Sequence, residues 1–282
     1  MNNKIKSTMK INLKYLLLLS LVVSCSNNET DKIQSSGEKT PIETVENKNC
    51  KKNDLEDENL QGKVSEISSS IKRINSNGLE SLGPKGISKY NEYGYLSEYI
   101  SLNSDNQIEE KEIYVFESIG KLVDEKTFSS KDNRMIGRSE YEYDKNGNNI
   151  TYKWIMPDNS LGFMYKYKFN DKNLMILKEH YTGEIGSETM SFQETYTYNE
   201  NCQLIETRNN STYGGEYLMK FVYSVDGNLQ DELYCASDGT VKSKTSYSYE
   251  MTDDHNNWLL KNKIANGKVT EIEQREIKYY QK

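Results

Sequence analysis

The chain lacks the residue patterns that most catalytic and metal-binding sites require. It has 2 histidines, His180 and His255, and no Cys-x-x-Cys, His-Glu-x-x-His, Gly-x-Ser-x-Gly or glycine-rich phosphate loop. A zinc site or a serine-type active site therefore has no support, and neither histidine has a partner at a plausible spacing. We expect both histidines to face solvent, no cofactor and no bound metal, and we interpret the protein as a non-enzyme.

A basic surface stripe and a long helical apolar pattern are also missing. The formal net charge is −7, and residues of the apolar classes make up 35% of the chain. An acidic surface repels nucleic-acid phosphates, so nucleic acid is not an expected partner. Paired acids such as Glu109-Glu110 are easy to find among 43 acidic residues, so they do not by themselves predict a glycosidase.

The N-terminus has the organisation of an export signal. Four lysines precede an apolar run from Tyr15 to Val23, which is shorter than the roughly 20 residues that span a bilayer. The run ends at Val22-Val23-Ser24-Cys25, which resembles a bacterial lipobox. The resemblance implies a signal peptide over residues 1–24 and a lipid on Cys25. The protein would then be anchored in the cell envelope, in the outer membrane if the cell is Gram-negative, with its folded part in the periplasm or on the cell surface.

Residues 25–61 are predicted to be a disordered, polar and acidic tether. They carry Ser, Asn, Glu, Asp and Lys and show no apolar periodicity. Such a segment buries too little apolar area to offset the entropy lost on ordering. Three cysteines, Cys50, Cys202 and Cys235, follow Cys25, and an oxidising compartment permits a disulfide among them. A disulfide between Cys202 and Cys235 is not expected, because their positions within the repeats place them near opposite ends of a hairpin. Whether Cys50, Cys202 or Cys235 is bonded or free is left open.

The dominant positive feature is a repeat. An aromatic residue followed four positions later by a turn residue recurs at intervals of 25 to 29 residues. The seven anchors are Tyr90, Phe116, Tyr143, Phe169, Tyr198, Tyr223 and Tyr249. A constant period of this length is typical of one small unit stacked on copies of itself.

Each unit reads as two strands and two turns. Most units carry a second aromatic residue two positions before the anchor, which places both rings on one face of a strand. Turn sequences such as Asp144-Lys-Asn-Gly147 and Asn266-Gly267 favour tight hairpins. We therefore predict an all-β fold over residues 62–282, in which tandem hairpins of about 26 residues form one long, twisted and curled antiparallel sheet of roughly fourteen strands. Whether the sheet closes, coils or stays open is left undecided, although about 220 residues look few for a closed shell.

Tyr141-Glu-Tyr-Asp-Lys-Asn-Gly-Asn-Asn-Ile150 resembles the YD repeat of the RHS family, and Phe221-Val-Tyr-Ser-Val-Asp-Gly-Asn-Leu229 is a degenerate copy. The resemblance extends over roughly residues 62–282 and implies an RHS-like envelope lipoprotein of the kind often taken to bind carbohydrate. The toxin-enclosing role of long RHS proteins is not carried over, because no extra domain follows the repeats, and no functional residue of the family transfers.

Three functional hypotheses remain. The first is a non-catalytic binding or scaffold module for carbohydrate or an envelope protein, attached to the membrane through lipid on Cys25. Its candidate ligand platform is formed by Tyr152, Trp154 and Trp258, although the composition favours packing over ligand binding as the role of these rings. The second is a carboxylate-dependent hydrolase of extracellular polymers, and the third is an accessory or immunity partner of an RHS-like toxin. The oligomeric state and the ligand are not predicted.

Overall fold

Sixteen antiparallel strands account for almost all of the residues that the structure describes. The structure is a computed structural model, and it describes residues 50, 52–118, 121–129, 135–212 and 214–281. The strands are β1 Val64–Ile74, β2 Glu80–Tyr90, β3 Leu96–Leu102, β4 Ile108–Ser118, β5 Lys121–Ser129, β6 Met135–Tyr143, β7 Asn149–Ile155, β8 Leu161–Phe169, β9 Met175–Thr182, β10 Thr189–Tyr198, β11 Leu204–Ser211, β12 Gly215–Tyr223, β13 Leu229–Ala236, β14 Val241–Thr252, β15 Trp258–Ala265 and β16 Lys268–Tyr279. The predicted all-β hairpin architecture is confirmed.

The sheet closes into a barrel, which corrects the predicted long curled sheet and answers the question of closure that the sequence left undecided. Each strand pairs with its neighbours in sequence, and β1 pairs with β16 through contacts such as Ile67 with Ile277 and Ser69 with Arg275. Closure is possible with so few residues because the strands have only 7 to 12 residues each. A short strand makes a short barrel, and the number of strands, not their length, sets the circumference.

Turn chemistry is repeated around one end of the barrel. At the turn between β6 and β7, the carboxylate of Asp144 accepts hydrogen bonds from the backbone N–H groups of Asn146 and Asn148, and Gly147 has a φ of 74°. The turns that begin at Asn91, Asn170, Asn199 and Asp253 have the same two side-chain hydrogen bonds. An Asx side chain that satisfies its own backbone, followed by a residue with positive φ, explains why these sequences reverse direction so tightly.

The tyrosine anchors connect each repeat to the one before it. The hydroxyls of Tyr198 and Tyr249 donate to the carbonyls of Met175 and Leu229, both at 2.8 Å, and the Tyr143 hydroxyl donates to a carbonyl in the same way. In each case the acceptor is the aliphatic residue six positions after the preceding anchor, at the first or second position of the next strand. The recurring ring therefore packs against the interior and also fixes the register between neighbouring hairpins.

A segment before β1 crosses this same end of the barrel as a plug. Residues 52–62 include the short helix α1, Asp54–Asp57, which is capped reciprocally by Asn53 and Glu56. Leu55 and Leu60 are 6% and 5% exposed and pack in one cluster with Val64, Tyr90 and Tyr114. These leucines supply the apolar anchoring that the composition of the segment does not suggest. Residues 52–61, which the sequence assigned to the tether, therefore have defined contacts with the barrel.

Hydrogen bonds hold the plug to turns around the rim. The backbone N–H of Leu55 donates to the carbonyl of Gly94, and the amide of Asn59 donates to the carbonyl of Asp226 at 3.1 Å. Asn257, in the turn between β14 and β15, accepts from the N–H of Gln61 at 2.7 Å and donates to its carbonyl at 2.9 Å. The plug thus contacts turns from widely separated parts of the sequence and closes this end.

A disulfide links the plug to the wall. Cys50 and Cys202 are bonded with their Cα atoms 5.8 Å apart, which closes a sequence separation of 152 residues. Cys202 lies in the turn between β10 and β11, and its φ of 64° occupies the slot that Gly or Asn takes in the equivalent turns. Cys235 is a buried free thiol, in agreement with the argument against its pairing with Cys202.

The opposite end of the barrel, called the mouth below, carries the second set of turns. These turns are short, and no segment among residues 50–281 that the structure describes crosses the opening. Within the described part of the chain, we find no helix with the length and hydrophobicity needed to cross a bilayer. The interior of the barrel, the lumen, is therefore closed by the plug at one end and bordered by hairpin turns at the other.

Candidate functional site

The candidate site is the lumen wall near the mouth, centred on Trp154 of β7. Two glycines flank this residue: Gly137, the third residue of β6, and Gly162, the second residue of β8. A Cβ added at Gly137 would lie 2.0 Å from Cζ2 of the indole, and a Cβ added at Gly162 would lie 2.7 Å from Cδ1. The indole therefore lies flat across the neighbouring strands, and only glycine leaves room for it there. One face of the ring covers backbone, which leaves the other face directed away from the sheet.

A continuous row of rings extends from this indole across four strands. Trp154 lies beside Phe163 on β8 with ring centroids 6.5 Å apart and planes inclined by 18°. Phe163 contacts His180 on β9 at 5.8 Å, and His180 stacks on Phe192 of β10 at 4.7 Å. Tyr152 joins the row through Phe163 at 5.8 Å. We call Trp154, Phe163, His180 and Phe192 the ring row.

His180 is part of this row, so the prediction that it faces solvent is wrong. It is half-buried, its Nδ1 lies within hydrogen-bond distance of the Ser191 hydroxyl, and burial together with the charge of Lys178 lowers its pKa. A lowered pKa keeps the imidazole neutral at pH 7, which suits stacking against an uncharged ring. His255 is exposed, as predicted, and its ring stacks on that of Tyr279 with centroids 4.1 Å apart at the plugged end.

An ion pair between buried Lys178 and partly buried Glu194 lies next to the ring row. The ammonium of Lys178 is 3.4 Å from Oε2 of Glu194 and lies over the ring of Tyr165 at 4.6 Å. Burial lowers the pKa of Lys178 although Glu194 acts in the opposite direction. Asn209 donates to the other oxygen of Glu194 at 3.2 Å. The side chains of Lys178 and Glu194 therefore form a fixed polar group beside the rings.

Carboxylates and phenols form a second polar group on the other side of Trp154. Glu125 accepts hydrogen bonds from the hydroxyls of Tyr141 at 2.5 Å and Ser139 at 3.1 Å. The Ser139 hydroxyl also lies 3.1 Å from that of Tyr152. Burial, followed by the charge of Glu125, raises the pKa of Tyr141, so this phenol stays protonated. A carboxylate, a hydroxyl and two phenols thus lie close to one flat indole.

Trp258 is not part of this platform. It begins β15 near the plug, where the guanidinium of Arg275 lies 3.2 Å from the centre of its ring and Tyr249 contacts it at 5.6 Å. The Arg275 side chain also donates to the carbonyl of Trp258 at 2.9 Å. The structure therefore brings Tyr152 and Trp154 together and gives Trp258 a separate packing environment. Cys25, the predicted lipidation site, lies outside the described residues.

Sequence reasoning did not single out the partners of Trp154. Lys178 and His180 on β9 and Phe192 and Glu194 on β10 alternate with outward-facing residues, so they share the lumen face with the aromatic anchors. The period of two was present in the sequence but was obscured by the register shifts in β7, β8 and β10. Among the residues that the structure describes, no group of three or more His, Cys, Asp or Glu side chains is placed to hold a metal ion.

The fold and this wall define a sixteen-stranded antiparallel barrel, plugged at one end, with a ring-lined and polar lumen. No protein-family model matches the chain, and no curated protein matches it. Among solved structures, it is similar to a porin-like protein from Bacteroides uniformis, with a TM-score of 0.52 and 12% identity over 76% of this chain and 98% of that one. At this identity the likeness concerns the fold alone.

Two weaker likenesses are to toxin complexes. A TcdB2-TccC3-Cdc42 complex matches with a TM-score of 0.32 and 14% identity over 67% of this chain and 13% of that one. A Photorhabdus luminescens Tc holotoxin pore matches with a TM-score of 0.32 and 13% identity over 68% and 13%. Scores this low carry no argument about this chain, and the resemblance of its repeats to the YD pattern stays a prediction.

Proposed function

We propose that this chain is a lipid-anchored, RHS-like envelope protein that binds carbohydrate in its lumen without catalysis. The observation that carries the proposal is the indole of Trp154, which lies flat between Gly137 and Gly162. Glycine within a strand weakens it, and the close approach of the indole explains why both of these strand positions have no side chain. Flat rings bordered by fixed hydrogen-bonding groups match the two faces of a sugar, which are apolar at the C–H groups and polar at the hydroxyls.

The polar groups beside the platform support the same class of ligand. Glu125, Ser139 and Tyr152 lie on one side of Trp154, and the ion pair of Lys178 with Glu194 lies beyond the ring row. Because these side chains are held by one another, they are already ordered before a ligand arrives, which lowers the entropic cost of binding.

The hydrolase alternative is not favoured by the electrostatics of the lumen. Glu232 is a buried carboxyl whose pKa is raised by burial, which is the property of a catalytic acid. The charges that act on it come from Lys263 and Lys261. A glycosidase of the usual kind needs a second carboxylate at a defined separation. We therefore keep the non-catalytic proposal and do not advance the hydrolase.

The test is a glycan-array screen followed by titration of tryptophan fluorescence, using the folded unit of residues 46–282. We expect binding of a subset of glycans and a change in tryptophan emission. Trp154→Leu should abolish binding while the circular dichroism spectrum and Tm are retained. Trp258→Phe, which changes the other tryptophan, should leave binding intact. Absence of binding to every glycan, or equal binding by Trp154→Leu, refutes the proposal.

A further inference from the structure

Lys178, Glu194 and Asn209 lie side by side on three successive strands of the lumen wall. Lys178 on β9 pairs in register with Glu194 on β10, and Glu194 pairs in register with Asn209 on β11. Oε2 of Glu194 lies 3.4 Å from Nζ of Lys178, and Oε1 accepts a hydrogen bond from Nδ2 of Asn209 at 3.2 Å. An amine and a side-chain amide are therefore held at the two oxygens of one carboxylate. We call these three residues the triad.

Burial of the triad favours a reactive amine. The side chain of Lys178 is 7% exposed, whereas the lysines in the other ion pairs that the structure describes have side chains 16% to 59% exposed. Nζ of Lys178 lies 4.6 Å from the ring centre of Tyr165 and 5.6 Å from that of Phe192, and Asn209 is also buried. Burial lowers the pKa of Lys178, which favours the neutral amine, and the neutral amine is the nucleophilic form.

The amine and the amide are within covalent reach of each other. Two strand spacings, about 9.6 Å, separate the backbones of β9 and β11. A bond from Nζ of Lys178 to Cγ of Asn209 would join their Cα atoms through eight covalent bonds, which extend to roughly 9–10 Å at about 1.2 Å per bond. Side chains on the concave side of a barrel also converge toward its axis. An extended lysine side chain therefore spans the gap across Glu194.

We propose that Lys178 and Asn209 form an intramolecular isopeptide bond, with Glu194 as the proton carrier. The neutral amine attacks Cγ of Asn209, the Nζ–Cγ bond forms and the Cγ–Nδ2 bond breaks. Glu194 accepts the proton that Nζ loses and delivers it to Nδ2, to which it is already hydrogen-bonded, so the leaving group is ammonia. The reaction consumes no oxidant, reductant or second substrate. Its product cross-links β9 to β11, and it does not require carbohydrate binding.

The experiment is intact-mass spectrometry of residues 46–282 under reducing and denaturing conditions, followed by peptide mapping with fragmentation. We expect the mass to be lower than the sequence mass by one ammonia, and a pair of peptides to be joined between Lys178 and Asn209. Lys178→Met and Glu194→Gln should each have the full sequence mass. The matched control, Lys261→Met, removes another lysine that is paired with a carboxylate and packed on a ring, and it should keep the loss of ammonia.

Two results would overturn the inference. The first is a parent protein with the full sequence mass. The second is a loss of ammonia that persists in Lys178→Met, which would assign it to another site, such as a succinimide at the Asn266-Gly267 turn. Because the joined peptides are identified in the parent protein, the conclusion does not depend on whether a variant folds. Neither result bears on glycan binding, which is measured separately with soluble ligands.

Discussion

Removal of the disulfide between Cys50 and Cys202 should strongly destabilise the barrel. The bond closes a loop with a sequence separation of 152 residues. In the chain-entropy model, a loop of this size restricts the unfolded state by about 5 kcal/mol at 25 °C, while measured disulfides typically contribute about 2–4 kcal/mol. We therefore expect Cys50→Ala/Cys202→Ala to lower the free energy of unfolding by about 3–5 kcal/mol, because the plug also contacts several turns without the bond.

The assay is equilibrium unfolding in urea, monitored by tryptophan fluorescence and far-UV circular dichroism. Both proteins should carry Cys235→Ala, so that the buried free thiol cannot exchange with the disulfide. The parent protein with reductant should unfold like the double variant. A loss below about 1 kcal/mol would refute the reasoning, since it would mean that the plug does not restrain the barrel during unfolding.

Three further predictions concern the platform, the buried acid and the plug. Gly137→Ala should cost about 1–3 kcal/mol and shift tryptophan emission, because its Cβ would lie 2.0 Å from the Trp154 ring. Leu60→Ala, at a position 5% exposed, should cost about 2–5 kcal/mol in urea unfolding. Burial raises the pKa of Glu232 in the folded state above the 4.5 of an unperturbed carboxyl, so its contribution to stability is complete below that pH and is lost as the pH rises through the folded pKa. Glu232→Gln should therefore flatten the decline in unfolding free energy between acid and neutral pH.

Each of these variants has a matched control. Gly214→Ala places a Cβ no closer than 3.5 Å to any neighbour and should keep the parent emission. Leu79→Ala removes an exposed side chain and should change stability by less than about 0.5 kcal/mol. Glu200→Gln changes an exposed turn carboxylate and should leave the pH profile as it is. If a control behaves like its partner variant, the local explanation fails for that pair.

The hairpin order was predictable because its signals are local. Aromatic pairs with a period of two, Asx turn residues and Asn-Gly or Asp-Gly turns each act within about five residues. Closure was not predictable from such signals. It depends on the pairing of β1 with β16, for example Ile67 with Ile277, and nothing in either strand alone distinguishes a closing partner from an edge.

The plug was not predicted because the polar composition of residues 25–61 indicated a disordered tether, and the two leucines that anchor it were given no weight. Leu55 and Leu60 stand among acidic and polar residues, and a window average hides the few apolar contacts that order the segment. One usable signal was present. Cys202 stands at the turn position where equivalent repeats have Gly or Asn, and a residue with a Cβ is disfavoured at positive φ. A cysteine at the positive-φ position of the turn therefore indicates that a disulfide, and not the turn conformation, accounts for the residue found there.

The candidate platform was half predictable for a similar reason. Tyr152 and Trp154 stand two residues apart on one strand, so their shared face followed from the sequence. The glycines beneath the indole lie on two other strands, and their role depends on register, which β-bulges in β7 and β8 shift by one residue. Trp258 was assigned to the platform because it is also a tryptophan. The structure instead places the guanidinium of Arg275 over its ring, in an environment separate from that of Trp154.

Because the barrel closes by pairing β1 with β16, its diameter depends on how many repeats lie between these two strands. Every complete repeat contributes one hairpin, and the first and last strands meet to close the sheet. Deleting or duplicating one internal repeat would therefore remove or add two strands and change the barrel diameter, while the residues of β1 and β16 stay the same. Tandem duplication of one repeat, about 26 codons, is thus a direct evolutionary route to barrels with a lumen of different diameter.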